Sequence, residues 1–172
     1  MSISDREFRD ALGRFATGVC VVSAFSKDDY AIGMTINSFA SVSLDPKQVL
    51  WSLKHNAVTY GMFSSVHEYS ISILAAHQKD LSNRYAKPGD HALSSGDFLV
   101  SERGIPFIRE ALAVFECASD QVVPAGDHDV LIANVTHYQC RSDRAPLLFY
   151  SGRYLDLATE MAAGRKSQAV GA

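Results

Sequence analysis

Gly33-Met34-Thr35-Ile36-Asn37-Ser38-Phe39-Ala40-Ser41-Val42-Ser43-Leu44-Asp45-Pro46 is the stretch on which the architecture turns. From Ala31 to Val42 it reads as one β-strand, and Pro46 ends it because proline has no N–H for a ladder. Gly33 and Asn37 sit oddly inside such a strand. Gly33 would let the backbone approach a ligand closely. The hydroxyls of Thr35, Ser38, Ser41 and Ser43, the Asn37 amide and exposed backbone can satisfy the carbonyls and ring nitrogens of a flat heterocycle. A solvated strand with alternating Thr and Ser would have the same composition.

Upstream, Val19–Phe25 is a β-branched, apolar strand joined to this one by the polar turn Lys27-Asp28-Asp29. Before it, Ser4-Asp5-Arg6-Glu7 forms a capping box. Phe8, Leu12 and Phe15 follow at i, i+4 and i+7, so an amphipathic helix is expected from Asp5 to Phe15, broken by Thr17-Gly18. Downstream, Gln48–Leu53 is a third strand. Asn56 is expected to cap a short helix from Ala57 to Val66. Tyr69–Leu74 alternates with period two, as a half-buried strand does. His77–Ala86 reads as a short exposed helix and Asp90–Pro106 as a loop. Ala111–Val123, Val130–Gln139 and Pro146–Tyr150 are further strands, the first two divided by the turn Pro124–Asp127. About seven strands follow one another almost directly, with three short helices. That order argues against parallel βαβ packing and for a mainly β, antiparallel barrel. Residues 1–157 read as one domain and 158–172 as a mobile C-terminal tail.

The totals exclude several classes. A net charge of −3 with no run of Lys or Arg argues against a nucleic-acid partner. No apolar run approaches the ~20 residues that cross a bilayer, and Met1–Glu7 carries no apolar leader, so no membrane association and a cytoplasmic location are expected. Cys20, Cys117 and Cys140 are odd in number and irregular in spacing, which argues against a disulfide framework. Neither a dinucleotide glycine fingerprint nor a P-loop is present. No G-x-S-x-G, C-x-x-C or H-E-x-x-H occurs. His128 between Asp127 and Asp129 lacks further ligands at metal-site spacing.

Four other segments carry chemistry-bearing side chains. Lys54-His55-Asn56-Ala57-Val58-Thr59 passes from strand to helix, and a helix start offers free amides to a phosphate; plain capping by Asn56 explains the same pattern. In Ser82-Asn83-Arg84-Tyr85, Arg84 suits phosphate oxygens or a surface ion pair. In Gly126-Asp127-His128-Asp129 a histidine at a turn can donate to a carbonyl, and the same residues read as a polar hairpin turn. In Tyr150-Ser151-Gly152-Arg153-Tyr154 the rings suit stacking on a nicotinamide or adenine, or a strand end with core tyrosines.

Taken in order, Arg14-Phe15-Ala16-Thr17-Gly18-Val19, Gly33–Phe39, Ser41–Pro46, Gly126-Asp127-His128 and Pro146–Tyr150 give the chain a resemblance to the flavin reductase-like family of FMN-binding split barrels. It covers Phe8 to Leu157. The resemblance implies a split barrel and hydride transfer from NADH or NADPH to FMN or FAD. It also implies a homodimer and a separate flavin-dependent monooxygenase that receives the reduced flavin. Carried over by position, Met34, Thr35, Ile36, Asn37 and Ser38 look like flavin-ring contacts, with Thr35 steering the reacting geometry. Ser41, Val42 and Ser43 look like ring or ribityl neighbours. Lys54, Asn56, Thr59 and Arg84 look like the phosphate end, with Tyr154 a further cofactor contact. His128 looks like the nicotinamide-positioning residue. Two departures stand out: Asn56-Ala57 replaces a Ser-Ser common among relatives, and Ala133 stands near a common glycine. A non-enzymatic flavin carrier or sensor, and a flavin-dependent reductase of another acceptor such as a corrin, share the same barrel.

Overall fold

Strands dominate the computed structural model, which describes residues 4–89, 91–142 and 144–157. The helix α1 (Asp5–Leu12) is capped as expected, the Glu7 amide donating to the Ser4 hydroxyl at 3.4 Å. It is followed by β1 (Thr17–Gly18), β2 (Cys20–Phe25) and β3 (Ala31–Ile36). Next come β4 (Ala40–Leu44), β5 (Lys47–Lys54), α2 (Tyr60–Phe63) and β6 (Glu68–Ile73). A 3-10 turn at Ala76–Gln78 leads into α3 (Lys79–Ala86). The chain then forms β7 (Phe98–Val100), β8 (Pro106–Ile108), β9 (Ala113–Ala125), β10 (His128–Cys140), β11 (Leu147–Tyr150) and β12 (Arg153–Asp156). The segment expected to be a mobile tail, 158–172, lies outside the described residues.

Seven strands form one antiparallel sheet in the order β3-β2-β6-β9-β10-β5-β4. The expected single strand from Ala31 to Val42 is therefore two strands, at opposite edges of that sheet. Asn37-Ser38-Phe39 breaks it and carries the chain between the edges. Laid flat, seven strands would set those edges about 29 Å apart. The four residue steps from Ile36 to Ala40 reach at most about 14 Å. The sheet must therefore curl until its edges nearly meet, and the result is a barrel left split along β3 and β4.

The barrel interior is filled by Val22, Ile32, Ile36, Trp51, Leu53, Phe63, Tyr69, Ile71 and Leu131. A second core of Val19, Val21, Leu74, Tyr85, Leu93, Ile108 and Leu147 lies on the other face of the β2 wall. That is why β2 is a nearly continuous apolar run: both its faces are covered. Strand β6 is also buried on both faces, contrary to the half-buried strand its alternation suggests. Its serines are satisfied locally, Ser70 donating to the Pro106 carbonyl at 2.6 Å and Ser72 accepting from the Ile108 amide at 3.1 Å. The covering piece is the β7–β8 hairpin, whose first strand falls within the stretch Asp90–Pro106 expected to be a loop and whose second begins at Pro106.

Two more expectations are corrected. Helix α2 spans four residues beginning at Tyr60, and no side chain caps it. Asn56 instead occupies an exposed turn, because the chain leaves β5 through a tight reversal before it can coil. Helix α3 is not simply exposed: Ser82 and Tyr85 are buried against β3 and the second core.

Candidate functional site

The long β9–β10 hairpin turns at Gly126, whose φ of 64° is easy only for glycine. Its outgoing strand runs along β5, setting His128 directly opposite Lys54, so both side chains stand on the same face. Asp127 joins them: its carboxylate lies 2.7 Å from His128 Nδ1 and 3.6 Å from Lys54 Nζ. The His128 hydrogen bond, with smaller help from the Lys54 charge, holds the Asp127 carboxyl below its usual range. An ionised carboxylate cannot donate, so Nδ1 carries the proton of this bond. Nε2 is then an acceptor on the neutral ring and a second donor on the charged one. The backbone closes the same corner, the His55 amide donating to the Asp127 carbonyl at 3.0 Å.

One position along, the side chain of Asp129 faces inward and is 8% exposed. It accepts from Tyr60 Oη at 2.7 Å and meets His55 Nε2 at 3.0 Å. These bonds, His55 first, hold its carboxyl below the ordinary range. Sequence reasoning passed over this trio. The signal was the strand alternation itself, which turns Asp129 toward the core, where a lone carboxylate must find partners.

The Gly33–Ser43 stretch distributes its polar groups on several sides. Thr35 donates to the Ser82 carbonyl at 2.8 Å, leaving its hydroxyl oxygen only acceptor capacity. Ser82 Oγ lies 2.9 Å from Tyr154 Oη, and the Tyr154 ring meets Phe149 edge-on at 5.4 Å. Thr35 and Tyr154 are thus joined through α3. Arg84, on the same helix, is half-exposed and paired with Asp97. Met34 and Ile36 pack toward the barrel core. Thr59 is fully buried and donates to Met34 Sδ at 3.0 Å, which puts it behind the barrel wall. Ser38 is tied to β5, its Oγ accepting from the Ser52 amide at 3.0 Å. Ser41 and Val42 are exposed on the edge strand, at a bulge between Ser41 and Ser43. The Ser43 hydroxyl accepts from the Asp45 amide at 3.2 Å.

The space expected beside Gly33 for a ligand is taken by the protein. A Cβ there would lie 2.4 Å from Leu93 Cδ2. The Gly33 amide donates to the His91 carbonyl at 2.9 Å, and Leu93 donates to Ala31 at 2.7 Å. This segment covers the free edge of β3, as edge strands require.

Asn37, at the crossing between the sheet edges, lines a cleft of about 480 Å³ with Leu12, Phe15, Thr17 and Phe149. Thr17 Oγ1 is buried there without a hydrogen-bond partner. An amide, an orphaned hydroxyl and an aromatic wall suit a flat ring carrying carbonyls and ring nitrogens, and the donor set therefore fits a flavin. The predicted residues thus collect as Lys54 with His128 at the hairpin tip, Thr35 with Tyr154 around α3, and Asn37 and Ser38 between the sheet edges. Arg84 is turned to Asp97, and Thr59 lies inside the barrel. No group of three or more metal-ligating side chains occurs among the described residues. Nor is any helix among them long and apolar enough to cross a membrane.

The model of the flavin reductase like domain matches residues 12–158. The chain is 42% identical over 149 residues to the reductase component of flavin-dependent trigonelline monooxygenase from Acinetobacter baylyi, covering 87% of this chain and 48% of that protein. The chain thus spans about half the length of this relative. It is 41% identical to the FMN reductase (NADH) SmoA of Agrobacterium fabrum, covering 88% of this chain and 85% of that one. The fold superposes on the styrene monooxygenase flavin reductase of Pseudomonas putida S12 with a TM-score of 0.80 at 34% identity, covering 87% of this chain and 96% of that one. The chain belongs to the family of the flavin reductase like domain.

Proposed function

We propose that this protein is an NAD(P)H:flavin oxidoreductase that reduces FMN or FAD and passes the reduced flavin to a separate monooxygenase. The observation that carries the reading is the family match across residues 12–158, which includes the split between β3 and β4, the Lys54–His128 corner and the Asn37 cleft. Relatives named as reductase components of monooxygenases support the separate oxygenase partner. The protein works in the cytoplasm as a homodimer, without nucleic-acid or membrane partners.

A bound flavin would supply the redox chemistry, taking up hydride from the nicotinamide. The chain supplies placement. Asn37, Ser38 and the backbone of Met34–Ile36 would hold the ring, Thr35 would offer it an acceptor, and Ser41, Val42 and Ser43 would serve the ring or ribityl chain. Lys54 and Asn56 serve the phosphate end. Arg84 joins them by leaving Asp97, while Thr59 supports this wall from behind through Met34. Tyr154 would offer its ring to the cofactor. His128, hydrogen-bonded through Nδ1 to Asp127, would offer Nε2 to the nicotinamide carboxamide. Hydride transfer needs no base, so His128 acts by orientation, which is where much of the rate enhancement of such a reaction arises.

The test uses the purified protein with free FMN or FAD, following NADH and NADPH consumption with and without air. Consumption with flavin alone supports the reading. Flavin binding without consumption would make the protein a carrier, and consumption only with a further acceptor would make it a reductase of another class.

A further inference from the structure

We infer that Asp129 is a positioning residue for the nicotinamide substrate, holding the Lys54–His128 corner in place from the inner side of the barrel wall. This rests on the reading of His128 given above. Asp129 follows His128 on β10 and stands opposite Leu53, while His55 follows Lys54 at the end of β5, so the Asp129 carboxylate, itself 8% exposed, reaches diagonally past the outer pair Lys54–His128 to the half-exposed His55. The second carboxylate oxygen takes the Tyr60 hydroxyl and ties α2 into the same lock. The His55 and Tyr60 rings meet edge-on at 5.5 Å, so all three side chains pack as one unit.

On the outer face, the corner has little to hold it. Asp127 is 72% exposed, Lys54 44% and His128 38%, and ion pairs so open to water are worth little. The orientation of the two outer side chains therefore depends on the backbone beneath them. The β5–β10 ladder holds that backbone, and at its end the Asp129 bonds and the His55 amide bond to Asp127 set the final position of the tip on the β5 side. Removing the carboxylate would leave the hairpin tip paired by its ladder yet free to shift by the tenths of an ångström that spoil a positioned imidazole. Asp129 meets neither substrate.

The experiment compares Asp129→Asn, Asp129→Ala and His128→Ala in the full chain. It measures kcat and KM for NADH, flavin affinity and thermal stability. The expected result is a KM for NADH about tenfold higher in Asp129→Ala, with flavin affinity unchanged, and a smaller rise in the same KM for Asp129→Asn, which keeps an acceptor for Tyr60. In the His128→Ala background, adding Asp129→Asn should raise KM no further, because the residue acts through His128. Additive effects, or an unchanged KM in both Asp129 variants, would overturn the inference. So would a loss of stability and flavin binding together without a KM change. If His128→Ala itself leaves KM unchanged, the nicotinamide role of His128 fails and the inference with it. If only the Asp129 variants are silent, the inference fails alone. Should Asp129→Ala not fold, Tyr60→Phe and His55→Gln break the lock one bond at a time and must raise the same KM.

Discussion

Cys20 and Cys117 are inside the barrel, and burial pushes both thiols up to about 12. Cys140 is exposed at the end of β10. A thiol reagent at pH 8 should therefore modify one cysteine per native chain, Cys140, and all three after unfolding; absorbance titration of the released chromophore counts them. At Gly33 the constraint is space. An added methyl meets Leu93 and the Val21 side chain, so Gly33→Ala should lower stability by about 1–2 kcal/mol, measured by urea denaturation. His128→Ala should raise the KM for NADH more than it weakens flavin binding, and unchanged steady-state kinetics would remove its role. In each case the residue type was visible in the chain, while neighbours distant in sequence, such as Leu93 beside Gly33 and Lys54 beside His128, came only with the fold.

Among the elements, β5 and β6 meet across the barrel through Trp51 and Tyr69. Both are fully buried, and the indole N–H donates to Tyr69 Oη at 3.1 Å. Tyr69→Phe keeps the packing and orphans that donor, so a loss of about 1–3 kcal/mol is expected. The urea midpoint should fall with an unchanged slope. The junction of β5, α2 and β10 carries a pH dependence. Asp127 and Asp129 are held below their ordinary range by His128, His55 and Tyr60. Above about pH 4, the ordinary aspartate value, their contribution to stability is fully present. As pH falls through their lower native values they take up protons in the folded chain and the contribution is lost. Asp129→Asn should therefore flatten the acid limb of Tm against pH, and a limb as steep as that of the unaltered protein would count against the assignment. The Asn56 cap failed at this same level, because a reversal out of β5 and the Asp129 lock, not local capping, set where α2 begins.

For the molecule as a whole, α1, which ends at Leu12 and not at Phe15 as expected, presents Phe8 and Leu12 outward, Phe15 just beyond it is 78% exposed, and no residue of the helix is buried. The stripe that reads as core-facing in sequence has no core of its own chain beneath it, and it borders the Asn37 cleft. A homodimer that covers this face fits the proposed function. Phe15→Asp should weaken such a dimer by about 2 kcal/mol or more, read by sedimentation at several protein concentrations. A monomeric unaltered protein at all of them would remove the dimer.

The chain by itself determined most strands, the α1 cap, the hairpin turn at Gly126 and the set of polar residues around Thr35, Asn37, Lys54 and His128. Those features follow from local preferences: alternation, capping, and turn chemistry act over a few neighbouring residues. Only the tertiary structure decided that Ala31–Val42 breaks into opposite edges of one curled sheet, that Leu93 fills the space beside Gly33, and that Asp129 locks His55 and Tyr60. Such outcomes depend on which strands pair and which faces become covered, and pairing energy between distant segments leaves no mark on the local pattern of either one.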